Sequence, residues 1–109
     1  MAEANDGLVS ALARVAQGDR QAFAGFYQQT HRAVFGMCLH LLRDKDEACD
    51  VLQETYIQIW HHAGEYHCDR GSVLNWMMSI GRYRCLDALR RRRHEVDFDS
   101  VSSSQVSSA

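Results

Sequence analysis

The chain has 109 residues, 46% of them hydrophobic, with 7 glycines and no proline. Such a length suggests one domain able to bury a modest core. The apolar content excludes generic disorder, and the scarcity of turn-forming residues argues against a many-stranded sheet. A formal net charge of −2 gives by itself no sign of a nucleic-acid binder.

In chain order, Asp6 is placed to cap a first helix with Leu8, Leu12 and Val15 on one face, and Gly18 is its stop. Asp19 caps a second helix over about 20–42. Its apolar positions are Phe23, Phe26, Tyr27, Val34, Met37, Cys38, Leu41 and Leu42, at the spacings of three and four that mark an amphipathic helix. Asp44 and Glu47, three apart, form an acidic version of the capping box ahead of a third helix. That helix reaches about His62 and buries Ala48, Leu52, Tyr56, Ile59 and Trp60. The segment from Gly64 to Gly71 is a loop. Ser72 then caps a fourth helix through about Arg93, with Val73, Trp76, Met77, Ile80 and Leu86 on its core face. Residues 100–109 are serine-rich and read as disordered linker. The predicted fold is all-α: a compact bundle of four helices over residues 1–96, with a disordered tail over 97–109. Its core is predicted around Phe23, Phe26, Tyr27, Leu52, Tyr56, Trp76 and Ile80.

The overall charge conceals segregation. Residues 44–54 hold Asp44, Asp46, Glu47, Asp50 and Glu54 against one Lys45, whereas residues 82–93 hold six arginines against one Asp87. Opposite charge on different segments suits two faces for two partners.

The chain carries no Gly-x-Ser-x-Gly, phosphate loop or His-Glu-x-x-His, so it is not read as an enzyme. The cysteines Cys38, Cys49, Cys68 and Cys85 form no Cys-x-x-Cys pair. With no signal peptide and no transmembrane run, they fit a reduced cytoplasmic protein. His61, His62, His67 and Cys68 lie close together, but adjacent histidines on a helix point about 100° apart. They are read as surface residues near a helix end, so no metal site and no cofactor are expected.

An arginine cluster at a helix end is, taken alone, a solvated terminus that suits the helix dipole. Here Arg82 and Arg84 extend the charge upstream of Arg90 and Arg91, while Tyr66 and Tyr83 offer rings nearby. Charge along a backbone with rings for stacking is what single-stranded DNA binding requires. On the third helix Asp50, Gln53 and Glu54 are spaced to share an exposed face, an ordinary solvated face or a docking surface for a basic partner.

The run Glu47-Ala-Cys-Asp-Val-Leu-Gln-Glu-Thr-Tyr-Ile-Gln-Ile-Trp60 resembles region 2.2 of extracytoplasmic-function sigma factors. Those typically read Ala-Glu-Asp-x-x-Gln-Glu-x-Phe-x-x-x-Trp. Ala48, Asp50, Gln53, Glu54 and Trp60 match, Tyr56 replaces Phe, and Cys49 departs from the acidic position. The run Trp76-Met-Met-Ser-Ile-Gly-Arg-Tyr-Arg-Cys-Leu-Asp87 is similar to the family's Trp-Leu-x-x-Ile-Ala-Arg-Asn-x-x-x-Asp, followed by Leu-Arg-Arg. Gly81 replaces Ala, and Tyr83 replaces Asn. Ala22-Phe23 with Tyr27 fits region 2.1, so the resemblance spans roughly residues 8–94.

The resemblance implies a transcription initiation module of the sigma region 2 type. Asp50, Gln53 and Glu54 would bind the clamp helices of the RNA polymerase beta-prime subunit. Tyr66, His67, Asp69 and Arg70 would read the non-template strand of the promoter −10 element. Arg82, Tyr83, Arg84, Arg90 and Arg91 would hold the DNA. An anti-sigma factor is an expected partner, and membrane insertion is not expected. The competing readings are a helical adaptor that never touches DNA and a metal- or redox-sensing helical domain. A complete family member also has region 4, a helix-turn-helix domain reading the −35 element. Nothing in the chain resembles it, and the serine-rich end favours a cut in the linker.

Overall fold

A computed structural model describes the backbone of residues 2–108 and the side-chain environments of residues 4–95. It contains four helices among the described residues: α1 (Ala2–Ala16), α2 (Arg20–Leu42), α3 (Lys45–His62) and α4 (Val73–Ser108). Two short 3-10 turns, Ala63–Glu65 and Cys68–Arg70, lie between α3 and α4, and there is no strand among the described residues. The predicted all-helical bundle is therefore the observed one.

The helix starts follow side-chain chemistry. Asp19 accepts from the Ala22 amide at 3.0 Å, and Asp44 from the Glu47 amide at 3.0 Å. Ser72 Oγ accepts from the Asn75 amide at 3.1 Å. Each satisfies an amide that the first helical turn leaves without a partner. At Asp44 only half of the capping box forms, because the Glu47 carboxylate is engaged by Arg92 of α4 instead. Asp6 is not a cap: α1 begins at Ala2, since Ala2, Glu3 and Ala4 propagate a helix readily. Its neighbour Asn5 reaches across to the start of α4, where its side-chain oxygen accepts from the Val73 amide at 2.9 Å.

The core stripe of α2 is the series Phe26, Thr30, Val34, Cys38 and Leu42, a strict spacing of four. Opposite it, α3 buries Ala48, Val51, Leu52, Thr55, Tyr56 and Ile59. From α4 come Val73, Trp76, Met77 and Cys85, and from α1 Leu12 and Val15. Fully burying large apolar side chains stabilises by about 1.5–3 kcal/mol each. Phe23, Tyr27, Trp60 and Ile80 pack against this core but are only partly buried. Phe23 lies edge-on to Tyr56 and Trp60, with ring centres 6.2 and 5.1 Å away. Leu86, expected inside, is 42% exposed. The inward line of α4 runs through Met77, Gly81 and Cys85, which rotates Leu86 out. At Gly81 α4 packs tightly on α2, since a methyl group there would fall 2.9 Å from Met37 Cε and 3.6 Å from Val34 Cγ1.

Two threonines sit in the core with their polar atoms satisfied. Thr55 Oγ1 donates to the Val51 carbonyl at 2.7 Å, and Thr30 Oγ1 donates to the Phe26 carbonyl at 2.8 Å. The Thr30 proton being committed there, the Tyr56 hydroxyl donates to Thr30 Oγ1.

The fourth helix, expected to end near Arg93, continues to Ser108. No glycine or proline follows Gly81 to stop it. The side chains of the expected linker lie outside the described residues, and its reading as linker rests on composition. No helix among the described residues is long and apolar enough to cross a membrane.

Candidate functional site

The exposed surface of α3 is a ridge between two grooves. On the α2 side, Phe23, Tyr27, Tyr56 and Trp60 floor an open apolar groove of about 660 Å³ bordered by Arg20, Gln53, Ile57 and His61. On the α4 side, Glu47, Asp50, Glu54 and Glu95 line a charged groove together with Arg91 and Arg92. Asp50, Gln53 and Glu54 therefore do not present one uniform face: Gln53 borders the apolar groove, whereas Asp50 and Glu54 border the charged one. Ile57, 58% exposed on the ridge, is a further surface residue that sequence reasoning missed. The available signal was an apolar residue lying off the buried stripe.

Glu54 is only partly free. The Arg84 guanidinium lies 3.9 Å from its Oε2, and that oxygen is buried without a hydrogen-bond partner among the described residues. Arg84 itself donates from Nε to Gln58 Oε1 at 2.8 Å. Thus a residue expected to bind protein and one expected to bind DNA are neighbours across the α3–α4 groove. Asp50 and Gln53 are exposed.

The arginines of α4 divide by helical angle. At 100° per residue, Arg84 and Arg91 lie about 20° apart, as do Arg82 and Arg93, and these two pairs are on opposite sides of the helix. Arg91 pairs with Asp87 one turn earlier at 3.5 Å. Arg92 is structural: it pairs with Glu47, and its NH2 group donates to the Leu42 carbonyl at 3.2 Å. It thereby fastens α4 to the end of α2 and the start of α3. Arg82, Arg90 and Arg93 are exposed and make no ion pair among the described residues. Tyr83 is 63% exposed and so is not a core residue.

The loop before α4 is braced from below. Tyr66 donates its hydroxyl to the Gly71 carbonyl at 2.7 Å and sets its ring edge-on to Trp76, with centres 5.5 Å apart. That half-buried ring is a support of the loop, which leaves His67, Cys68, Asp69 and Arg70 as its exposed side chains. Gly71 adopts φ 89°, a conformation that side chains rarely tolerate, and this directs the chain into α4. Gly64 makes no such bend; it lies inside the first 3-10 turn, against Ala16. The loop, Tyr83 and the outward arginines follow one another along the chain without an acidic side chain between Gly71 and Asp87.

Two kinds of buried ionisable group complete the electrostatics. Burial, with the contact of Cys85, pushes the Cys38 thiol up to about 12. Burial pushes Tyr56 up to about 12. Cys85 is raised by burial as well. None of these is a thiolate or phenolate at neutral pH, so neither buried cysteine is a nucleophile.

Residues 26–95 match the sigma-70 region 2 family. Among curated proteins, the chain is similar to the ECF RNA polymerase sigma factor SigK of Mycolicibacterium vanbaalenii. The two are 38% identical over 79 residues, covering 72% of this chain and 40% of the relative. SigK of Mycobacterium ulcerans is 35% identical over 86 residues, covering 79% of this chain and 46% of the relative. The chain thus spans less than half the length of the curated relatives it matches.

Proposed function

The chain belongs to the sigma-70 region 2 family, and from that premise we propose that it is a transcription initiation module that docks on core RNA polymerase through α3 and engages the promoter −10 element through the loop and α4. The observation that carries this reading is the division of exposed charge. Asp50 stands on the α3 ridge beside Gln53, while Arg82, Arg90 and Arg93 point away from that ridge on α4. Two partners of opposite charge can then be held at once without competing for one surface.

In this reading Asp50 pairs with basic residues of the beta-prime clamp helices, and Gln53 and Ile57 add hydrogen-bonding and apolar contact. Glu54 contributes in part, since it also faces Arg84. His67, Asp69 and Arg70 read an unstacked base of the non-template strand, because they offer donors and acceptors on a braced turn. Tyr66 holds that turn in place. Arg82 and Arg90 bind phosphates, which position the strand but carry little sequence information. Tyr83 offers its exposed ring for stacking. Arg84 and Arg91 serve DNA less directly, being engaged with Gln58 and Asp87. The place of action is the cytoplasm, and an anti-sigma factor is a further partner.

The test is retention on immobilised core RNA polymerase. The chain is expected to be retained, and Asp50→Lys to be released while keeping the same circular dichroism. Retention of Asp50→Lys at unchanged affinity would remove α3 as the docking element.

A further inference from the structure

We infer that Asn5 of α1 is a positioning residue for the −10 reading loop: from 68 residues away in the chain, it fixes the point where the loop passes into α4. Its Oδ1 accepts from the Val73 amide at 2.9 Å. The residues assigned above to polymerase or DNA all lie on α3, the loop and α4, so this gives α1 a part in promoter reading. The inference rests on the loop being the element that reads the −10 strand.

The first turn of a helix leaves its leading amides without acceptors inside the helix. At the start of α4 the Trp76 amide donates to the Ser72 carbonyl at 3.0 Å, and the Asn75 amide donates to Ser72 Oγ at 3.1 Å. Val73 has no such local partner among these bonds. It is also fully buried, which closes its amide to water. A buried amide without an acceptor is costly. The acceptor comes from Asn5, on a different helix.

The same helix meets the loop at its other end. Ala16 lies beside Gly64, where a methyl group would come 3.9 Å from Ala16 Cβ. Asn5 and Ala16 stand about 16 Å apart along the helix axis, so α1 spans the loop from start to finish. Leu12 and Val15, buried in the core, hold α1 to the bundle. The Tyr66 bond to the Gly71 carbonyl braces the loop from within, and Asn5 ties it to the frame two residues further on. Reading a base requires side chains held to within about 0.5 Å. Without Asn5 the Val73 amide turns toward water and the first turn of α4 frays. His67, Asp69 and Arg70 then lose their fixed placement. Arg82 and Arg90, more than two turns further along α4, keep theirs.

The test compares Asn5→Ala, which removes the acceptor, with Asn5→Asp, which keeps an acceptor oxygen that also suits the N-terminus of α4. Alanine is a strong helix former, so α1 itself is not weakened. In the free 109-residue chain, hydrogen exchange at the Val73 amide should quicken about fivefold in Asn5→Ala, and not in Asn5→Asp. On core polymerase, preference for the best −10 oligonucleotide over its single-base variants, on the order of tenfold per position, should shrink about threefold or more in Asn5→Ala. Its salt slope should stay unchanged, and Asn5→Asp should keep the native preference. Arg92→Ala, which loosens α4 away from the loop, is the control for lost stability and should also keep it. A native chain with no preference removes the reading of the loop, and the role of Asn5 with it. Unchanged Val73 exchange in Asn5→Ala, a native preference that survives in that variant, or an equal loss in Arg92→Ala overturns the role of Asn5 alone.

Discussion

The hydroxyl of Tyr56 on α3 donates to Thr30 Oγ1 on α2 inside the core, and Thr30 in turn donates to the Phe26 carbonyl. A phenol placed where the family has a plain ring is thus accompanied by a buried partner on the facing helix. Thr30→Val leaves the Tyr56 hydroxyl buried and unpaired, at a cost of about 1–3 kcal/mol. Tyr56→Phe is milder, because Thr30 keeps its carbonyl acceptor. The double substitution should recover much of the loss, giving a coupling of about 0.5–3 kcal/mol in a urea-denaturation cycle. Strictly additive effects would mean that the two hydroxyls do not interact.

The four consecutive arginines, Arg90 to Arg93, are not equivalent. Arg92 joins three helices, so Arg92→Ala should lower stability by about 1 kcal/mol, a modest figure because the Glu47 pair is partly exposed to solvent. Arg90→Ala should leave the thermal midpoint nearly unchanged, as exposed substitutions usually do. Equal midpoints for the two variants would contradict the structural role of Arg92.

Alkaline pH should unfold the protein through Cys38 and Tyr56. Both groups are neutral when protonated, and both are raised in the fold to about 12 from ordinary values of 9.0 and 10.0. Below the ordinary values neither state ionises, and stability is fully present. As pH rises beyond about 9 the unfolded chain releases protons that the fold retains, so stability falls by about 1.4 kcal/mol per pH unit for each group ionised only in the unfolded chain. Urea midpoints measured from neutral to alkaline pH check this, and Cys38→Ala should flatten the decline. A midpoint that rises over that range would contradict the assignment.

Much of this architecture is legible in the chain, and what is not has specific causes. Asp19, Asp44 and Ser72 announce their helices because cap chemistry is local. The aromatic and aliphatic stripes announce the core because period and burial coincide along α2 and α3. Thr30 and Thr55 escape such a reading because apolar spacing gives no weight to hydroxyls that bond their own helix. Leu86 is misplaced by it because the inward line of α4 passes through Gly81, which has no side chain to mark it. At the site, the separation of Asp50 from the outward arginines follows from charge patterning, but the engagement of Arg92 with Glu47 and of Arg84 with Glu54 does not. Those pairs join residues far apart in sequence, and only the angle between packed helices brings them together.

Docking on polymerase should respond to Asp50 more cleanly than to Glu54. Asp50→Lys reverses an exposed charge and should slow association while sparing the fold. Glu54→Lys sets a cation against Arg84 and should lose stability as well as affinity. Thermal midpoints and core-binding rates measured side by side separate the two. The prediction fails if Asp50→Lys unfolds the protein or Glu54→Lys leaves its stability unchanged.

The central claim is that the loop reads the −10 sequence while α4 supplies sequence-independent affinity. It is tested most directly by the binding of a series of non-template −10 oligonucleotides to core polymerase carrying this chain, at several salt concentrations. Arg90→Ala is expected to weaken every oligonucleotide alike and to reduce the slope of log affinity on log salt by about 0.7 for each phosphate that is no longer neutralised. Joint replacement of His67, Asp69 and Arg70 by alanine is expected to reorder the preferred sequences while leaving the salt slope nearly intact. An unchanged ranking in that triple variant would contradict the account and reduce the loop to a connector.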